Sequence, residues 1–412
     1  EDSDSIDIKT RQIGEPADKG NIVYYLFFLF GIGALLPWNA VLTALDFFDQ
    51  SYPDPSHNPY FVFGLTLNAP NFLFNFVNIF IAQKVSLKIR LVTSLIAVFF
   101  LTWSMPFIAQ YTEGDGSWIL ILAVIVVMGI ANSFAQGGIF GFAGIFPPRY
   151  TGAVMFGNGF SGLAMNILRM CTLLAFPPKE IEEGKHDNTA FIGCMIYFAI
   201  ASLIIILCIV GYFYVLKTEF AQYYMKKAGP ETNSRSVSLN VAARSAGSIG
   251  HADSVKLYNG DNEDTYERVN DRINDDEDQD QVSFLGVYKE VAFMATQVFV
   301  CFTITFVVFP GTQLSTTFDF LGNSAADIAW FSVLMITVFN VFDTIGRFAG
   351  GSIQVLSPNT VFGLTITRLI FIPTSVLIQL NYSPDWIFQK DWFRILNMAI
   401  FAFTNGYNST LC

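Results

Sequence analysis

Apolar residues along this 412-residue chain are gathered into ten long stretches: 22–48, 59–83, 90–111, 117–146, 151–176, 190–216, 287–313, 325–352, 358–381 and 391–412. A helix of about twenty apolar residues spans a hydrocarbon core of roughly 30 Å. It also satisfies its own backbone hydrogen bonds, which lipid cannot do. The pattern therefore predicts an all-α, polytopic membrane protein with ten visible spans. Two segments break it. The tail 1–21 is polar, and 217–286 is rich in Ser, Asn and Asp, with too little apolar content to bury itself. The second is expected to be a flexible acidic linker dividing a six-helix bundle, 22–216, from a second bundle, 287–412. The chain begins with Glu1 and ends inside an apolar stretch, so a longer protein with at least one further span is expected.

Composition agrees with this reading. Only 14% of residues are charged, against about 25% in a soluble domain. The net charge of −11 collects in the tail (Glu1, Asp2, Asp4, Asp7) and in the run 261–280, where it reads as solvated chain rather than a docking site. Short-loop Lys and Arg favour the cytoplasmic side. Lys9, Arg11 and Lys19 in the tail, Lys84, Lys88 and Arg90 in the next loop but one, and Arg149 alternate with loops 49–58, 112–116 and 314–324, which hold none; loop 177–189 is a mild exception, its Lys179 and Lys185 diluted by Glu180, Glu182 and Glu183. The N-terminus is thus expected in the cytoplasm.

Cys171, Cys194, Cys208, Cys301 and Cys412 lie in or beside apolar stretches without CxxC spacing and read as packing residues. His57, His186 and His251 are far apart. No phosphate-binding glycine loop follows a strand, and no nucleophile elbow occurs. The sequence predicts neither an enzyme nor a bound metal or cofactor.

Chemistry is expected where polar groups enter the spans, because a charge at mid-membrane costs about 2.5–3.5 kcal/mol on insertion scales. Asn68, Asn71, Asn75 and Asn78 fall on one helical face. Each is equally readable as cavity lining or as an interhelical hydrogen bond. Asn158, Gly162, Asn166 and Arg169 share a second face, while Ala153, Gly157 and Ser161 form a small-residue series suited to close helix approach. Asn132 and Gln136 lie one turn apart beside Gly137 and Gly138, where thinned backbone can accommodate a solute. Asn340, Asp343 and Arg347 lie in FNVFDTIGR, and the acid and base, four apart, can neutralise each other. A structural ion pair is the competing reading. Arg368 has no neighbour at ±4 and is expected to anchor near an interface. Leu35, Trp38 and Leu42 share a face around Pro37, a kink site, and a flat indole suits a flat heterocycle.

These segments together resemble the equilibrative nucleoside transporter family. GIGALLPWN at 31–39, QGGIFGFAGIFPPRYTGAVMFGNGFSG at 136–162, FNVFDTIGR at 339–347 and FAFTNGY at 401–407 match its motifs in order. The resemblance implies an eleven-helix, major-facilitator-like, two-bundle fold and passage of nucleosides, or in some members nucleobases, down their gradients. By motif position it implies that Trp38 and Gln136 contact the base, that Asp343 and Arg347 bind the ribose, that Leu35 and Leu42 line the pocket, and that Gly157 and Gly162 serve packing or passage. Arg169 looks more like plant and protozoal relatives, either pairing with Asp343 across the cavity or adding a donor to the site.

The implied partners are a nucleoside or nucleobase and the lipid bilayer, with no nucleic acid. The plasma membrane is favoured over an organelle. Alternating-access uniport is the leading mechanism. A proton-coupled carrier working through Asp343, a solute channel and a scaffold acting through the acidic loop stay open.

Overall fold

The computed structural model describes residues 16–54, 57–82, 84–175, 188–228, 284–309, 311–314, 318–322, 324–352, 357–380 and 386–411. The tail before residue 16 and the acidic run 261–280 lie outside them. Thirteen α-helices and no strand occur among the described residues: α1 Ile22–Thr43, α2 Leu45–Ser51, α3 Pro59–Ala82, α4 Leu87–Tyr111, α5 Gly114–Ala143, α6 Pro148–Ala175, α7 Asn188–Val215, α8 Glu219–Lys227, α9 Phe284–Val308, α10 Ala325–Ser352, α11 Pro358–Thr367, α12 Phe371–Gln379 and α13 Asp391–Leu411.

Six of the ten expected segments form helices both long and apolar enough to cross a bilayer. The other four are helical; three of them are too polar for that standard, and the fourth, α9, is apolar over Ala292–Val308. Asn68, Asn71, Asn75 and Asn78 dilute α3, and Asn158, Asn166 and Arg169 dilute α6. Arg394, Asn397, Asn405 and Asn408 do the same to α13. The polar residues within these helices weaken their hydropathy.

Two segments break where sequence pattern predicts continuity. Pro37 lies inside an uninterrupted α1, and the first span breaks instead at Ala44, whose N–H is shared between the carbonyls of Ala40 and Val41. The ninth segment is divided by a 3₁₀ turn, Arg368–Ile370. The segment 217–286, expected to be flexible, opens with α8. Thr218 caps it by accepting from Ala221 N at 3.2 Å, and Phe220 and Tyr224 pack against Phe146.

The Asp18 carboxylate anchors the start of α1. It accepts from Val23 N and Tyr24 N, and from the Tyr150 hydroxyl of α6 at 3.1 Å. Within the first half α1 packs closely on α6, and within the second α10 packs closely on α13. The small-residue series explains the first pair, since a Cβ on Gly157 would stand 2.1 Å from the Phe28 carbonyl. One apolar core, around Phe27, Phe142 and Tyr212, is built from the first half together with α8. A second joins Phe48, Met128 and Phe198 of the first half to Phe309, Phe331 and Phe401 of the second.

Where the halves meet, α6 runs antiparallel to α10. Gly159 faces Thr344 and Arg347, Gly162 faces Asn340, Asn166 Nδ2 donates to Thr337 Oγ1 at 3.3 Å, and Leu173 packs with Ala329 and Val333. These contacts run from mid-helix toward the end that carries α2, leaving the α6 segment before Gly157 to pack within its own half.

Candidate functional site

Asp343 and Arg347 sit on α10 at this seam, 5% and 8% exposed. Arg347 Nε donates to Asp343 Oδ2 at 2.7 Å. Asp343 Oδ1 accepts from Asn405 Nδ2 of α13 at 2.8 Å. Both carboxylate oxygens are thus held, and each keeps a lone pair for a further donor. The two Nη nitrogens of Arg347 have no hydrogen-bond partner among the described residues, so the pair presents open donors beside held acceptors. Asn340, one turn away, rests on Gly162, where a Cβ would stand 2.4 Å from its Oδ1. Asn158 of α6 is buried, with an unpartnered Oδ1.

Arg169 does not reach Asp343. It pairs with Asp46 of α2 and donates to the Tyr197 hydroxyl at 2.8 Å, so its charge is engaged within the first half. Asp46 and Arg169, with Leu42, Asn166 and Val333, line a small cleft between the halves. Leu42 is buried in the shared core, Trp38 is partly buried against it, and Leu35 is partly buried.

Gln136 Nε2 donates to the Ala34 carbonyl of α1 at 3.3 Å, leaving its Oε1 without a partner among the described residues. Asn132 is buried. The glycines beside Gln136 receive protein rather than opening space for a solute: Gly137 accommodates the Asn78 amide and Gly138 accommodates Leu91. Asn78 in turn accepts from Arg90 Nη1 at 2.9 Å and serves packing. Asn68 donates to the Gly64 carbonyl, and Asn75 to Asn71 at both its carbonyl and its Oδ1. These amides return to their own helix.

Arg368 is not an interfacial anchor. It is 1% exposed and donates to Phe401 O, Thr404 Oγ1, Thr305 Oγ1 and Asn405 Oδ1. Asn405 and Arg368 are thus members of the Asp343 neighbourhood that sequence reasoning left out. Their signal was an arginine in an apolar stretch with no local partner, which requires a distant one.

Residues 122–412 match the family model described as nucleoside transporter. The chain belongs to the nucleoside transporter family. It is similar to equilibrative nucleoside transporter 1 of Homo sapiens, 27% identical across 97% of this chain and 90% of that protein. It is also similar to equilibrative nucleotide transporter 4 of Arabidopsis thaliana, 24% identical across 93% of this chain and 83% of that protein. Among solved structures it resembles the xylose transporter XylE from E. coli, with a TM-score of 0.55 and 10% identity over 94% of this chain and 84% of that one. At that identity the likeness speaks for the fold, which is major-facilitator-like. As a family member the chain is a transporter rather than an enzyme, and its apolar helices make it an integral, multi-pass membrane protein.

Proposed function

We propose that this protein carries nucleosides across the plasma membrane by alternating-access facilitated diffusion. The N-terminus lies in the cytoplasm, and the substrate sits between residues 22–216 and 287–412. The observation that carries this reading is the Asp343–Arg347 pair at the seam of the halves, with both acceptor oxygens held and the Arg347 Nη nitrogens open. Vicinal hydroxyls, each a donor and an acceptor, suit such a pair. Arg169 is committed to Asp46, and Arg368 is enclosed among Phe401, Thr404, Thr305 and Asn405. At the seam Arg347, with open Nη donors and already balanced by Asp343, supports an uncharged sugar over a nucleotide phosphate.

Trp38 and Gln136 act on the base, with the unpartnered Oε1 of Gln136 as an acceptor. Leu35 and Leu42 line the apolar side. With the N-terminus cytoplasmic, the end where α6 and α10 meet faces outward, and the arrangement is inward-facing. Release and reloading then require α10 to separate from α6 between Gly159 and Leu173.

The test is uptake by proteoliposomes, with competition by ribosyl and dideoxy analogues. Saturable adenosine or uridine uptake, accelerated by internal solute, is expected. Asp343→Asn should weaken ribonucleosides and spare their dideoxy analogues and hypoxanthine. Linear flux at high solute concentration would indicate a channel. Parallel loss of ribosyl and dideoxy substrates in folded Asp343→Asn protein would remove the sugar-site assignment.

A further inference from the structure

Asn405 is held from both ends. Its Oδ1 accepts from Thr305 Oγ1 at 2.6 Å and from Arg368 Nη2 at 3.3 Å, while its Nδ2 donates to Asp343 Oδ1 at 2.8 Å. An asparagine amide can turn over, exchanging its donor and acceptor ends, and hydrogen-bond partners decide which end faces where. Arg368 decides it here, because a guanidinium only donates and requires the oxygen on its side. The reversed amide would set an acceptor against the Asp343 carboxylate and a donor against Arg368, two unfavourable contacts in a buried place. Arg368 is itself fixed by Phe401 O at 3.1 Å and Thr404 Oγ1 at 3.0 Å, and its guanidinium lies 4.8 Å from the Phe401 ring centre. The chain of contacts runs from the 3₁₀ turn between α11 and α12, through α9 and α13, to α10.

We propose that Asn405 and Arg368 are positioning residues for the sugar site, Arg368 fixing the polarity of the Asn405 amide so that its N–H holds the Asp343 carboxylate in the orientation that accepts ribose hydroxyls. The proposal rests on the sugar-site reading above. Arg368 acts only through Asn405 and does not touch the substrate. Its effect is on the sugar, since the base is handled on the opposite half.

The experiment measures inhibition of uptake by adenosine and by 2′,3′-dideoxyadenosine in purified, reconstituted full-chain variants, with Asp343→Asn assayed alongside. Asn405→Leu should weaken adenosine about tenfold, one lost hydrogen bond to a charged group, and leave dideoxyadenosine within about twofold. Arg368→Met should reproduce that change in ratio, and Arg368→Lys, which keeps an obligate donor, should restore it. The double variant Arg368→Met with Asn405→Leu should be no worse than Asn405→Leu alone, because residues acting in series are not additive. If Asn405→Leu fails to fold, Asn405→Ser carries the same expectation. Equal weakening of both analogues in folded protein, or additive losses in the double variant, while Asp343→Asn still discriminates, overturns this inference alone. Failure of Asp343→Asn to discriminate overturns the sugar-site reading and the inference with it.

Discussion

Gly162 of α6 faces the side-chain amide of Asn340 on α10 so closely that an added Cβ would stand 2.4 Å from Asn340 Oδ1. The contact crosses from one half to the other. At Gly157, five residues earlier, an added Cβ would stand 2.1 Å from the Phe28 carbonyl, inside a single half. Overpacking costs about 1–3 kcal/mol, but the two positions apply that cost to different equilibria. Gly162→Ala should destabilise the arrangement in which α6 and α10 touch, shifting conformational populations while abundance is preserved. Gly157→Ala should lower abundance and thermal stability. Thermal melting in detergent, with thiol labelling of a cysteine introduced at Val333, reads both effects. Identical behaviour of the two variants would contradict the assignment of one contact to the seam.

The pairing of Arg169 with Asp46 predicts a stability effect. Removing one member of a buried ion pair strands the other, at about 3–5 kcal/mol, whereas removing both costs much less. Asp46 retains 22% side-chain exposure, which places the expected loss toward the lower end of that range. Arg169→Leu should lower the melting temperature, and Asp46→Leu with Arg169→Leu should recover most of it. A double variant as unstable as Arg169→Leu would mean that Tyr197, not Asp46, is the partner that matters.

Gln136 donates to the Ala34 carbonyl and keeps an open oxygen. Gln136→Leu should therefore penalise bases that offer an N–H more than bases that do not, by about tenfold where one hydrogen bond is lost. Competition among adenosine, inosine and N-methylated analogues checks this. A uniform loss would assign Gln136 to the packing of α5 on α1.

Trp38 is partly buried against the core shared by the halves. Stacking on an aromatic contributes about 0.5–1.5 kcal/mol beyond area burial. Trp38→Ala should weaken substrate affinity by about twofold to tenfold with little change in abundance. Unchanged affinity would return Trp38 to a purely structural role.

The segments legible in the sequence are those set by local chemistry. Ten apolar stretches declare themselves because the desolvation of a helix depends only on its own residues, and the spacing of Asp343 and Arg347 by four fixes their pairing through helical geometry alone. The small-residue series at Ala153, Gly157 and Ser161 was equally readable, since close approach needs nothing but missing side-chain volume. Partners on separate helices were not. Arg169 meets Asp46 across 123 positions of sequence, and Arg368 meets Asn405 across 37. Each pairing depends on which helices neighbour one another, at what crossing angle and in what register. Hydropathy reports that a charge in a span must be compensated, without saying by which residue. Tertiary structure alone decided that the glycines beside Gln136 receive Asn78 and Leu91, and that Asp343 is held by Asn405 of α13, because these follow from packing between elements that no single stretch of sequence contains.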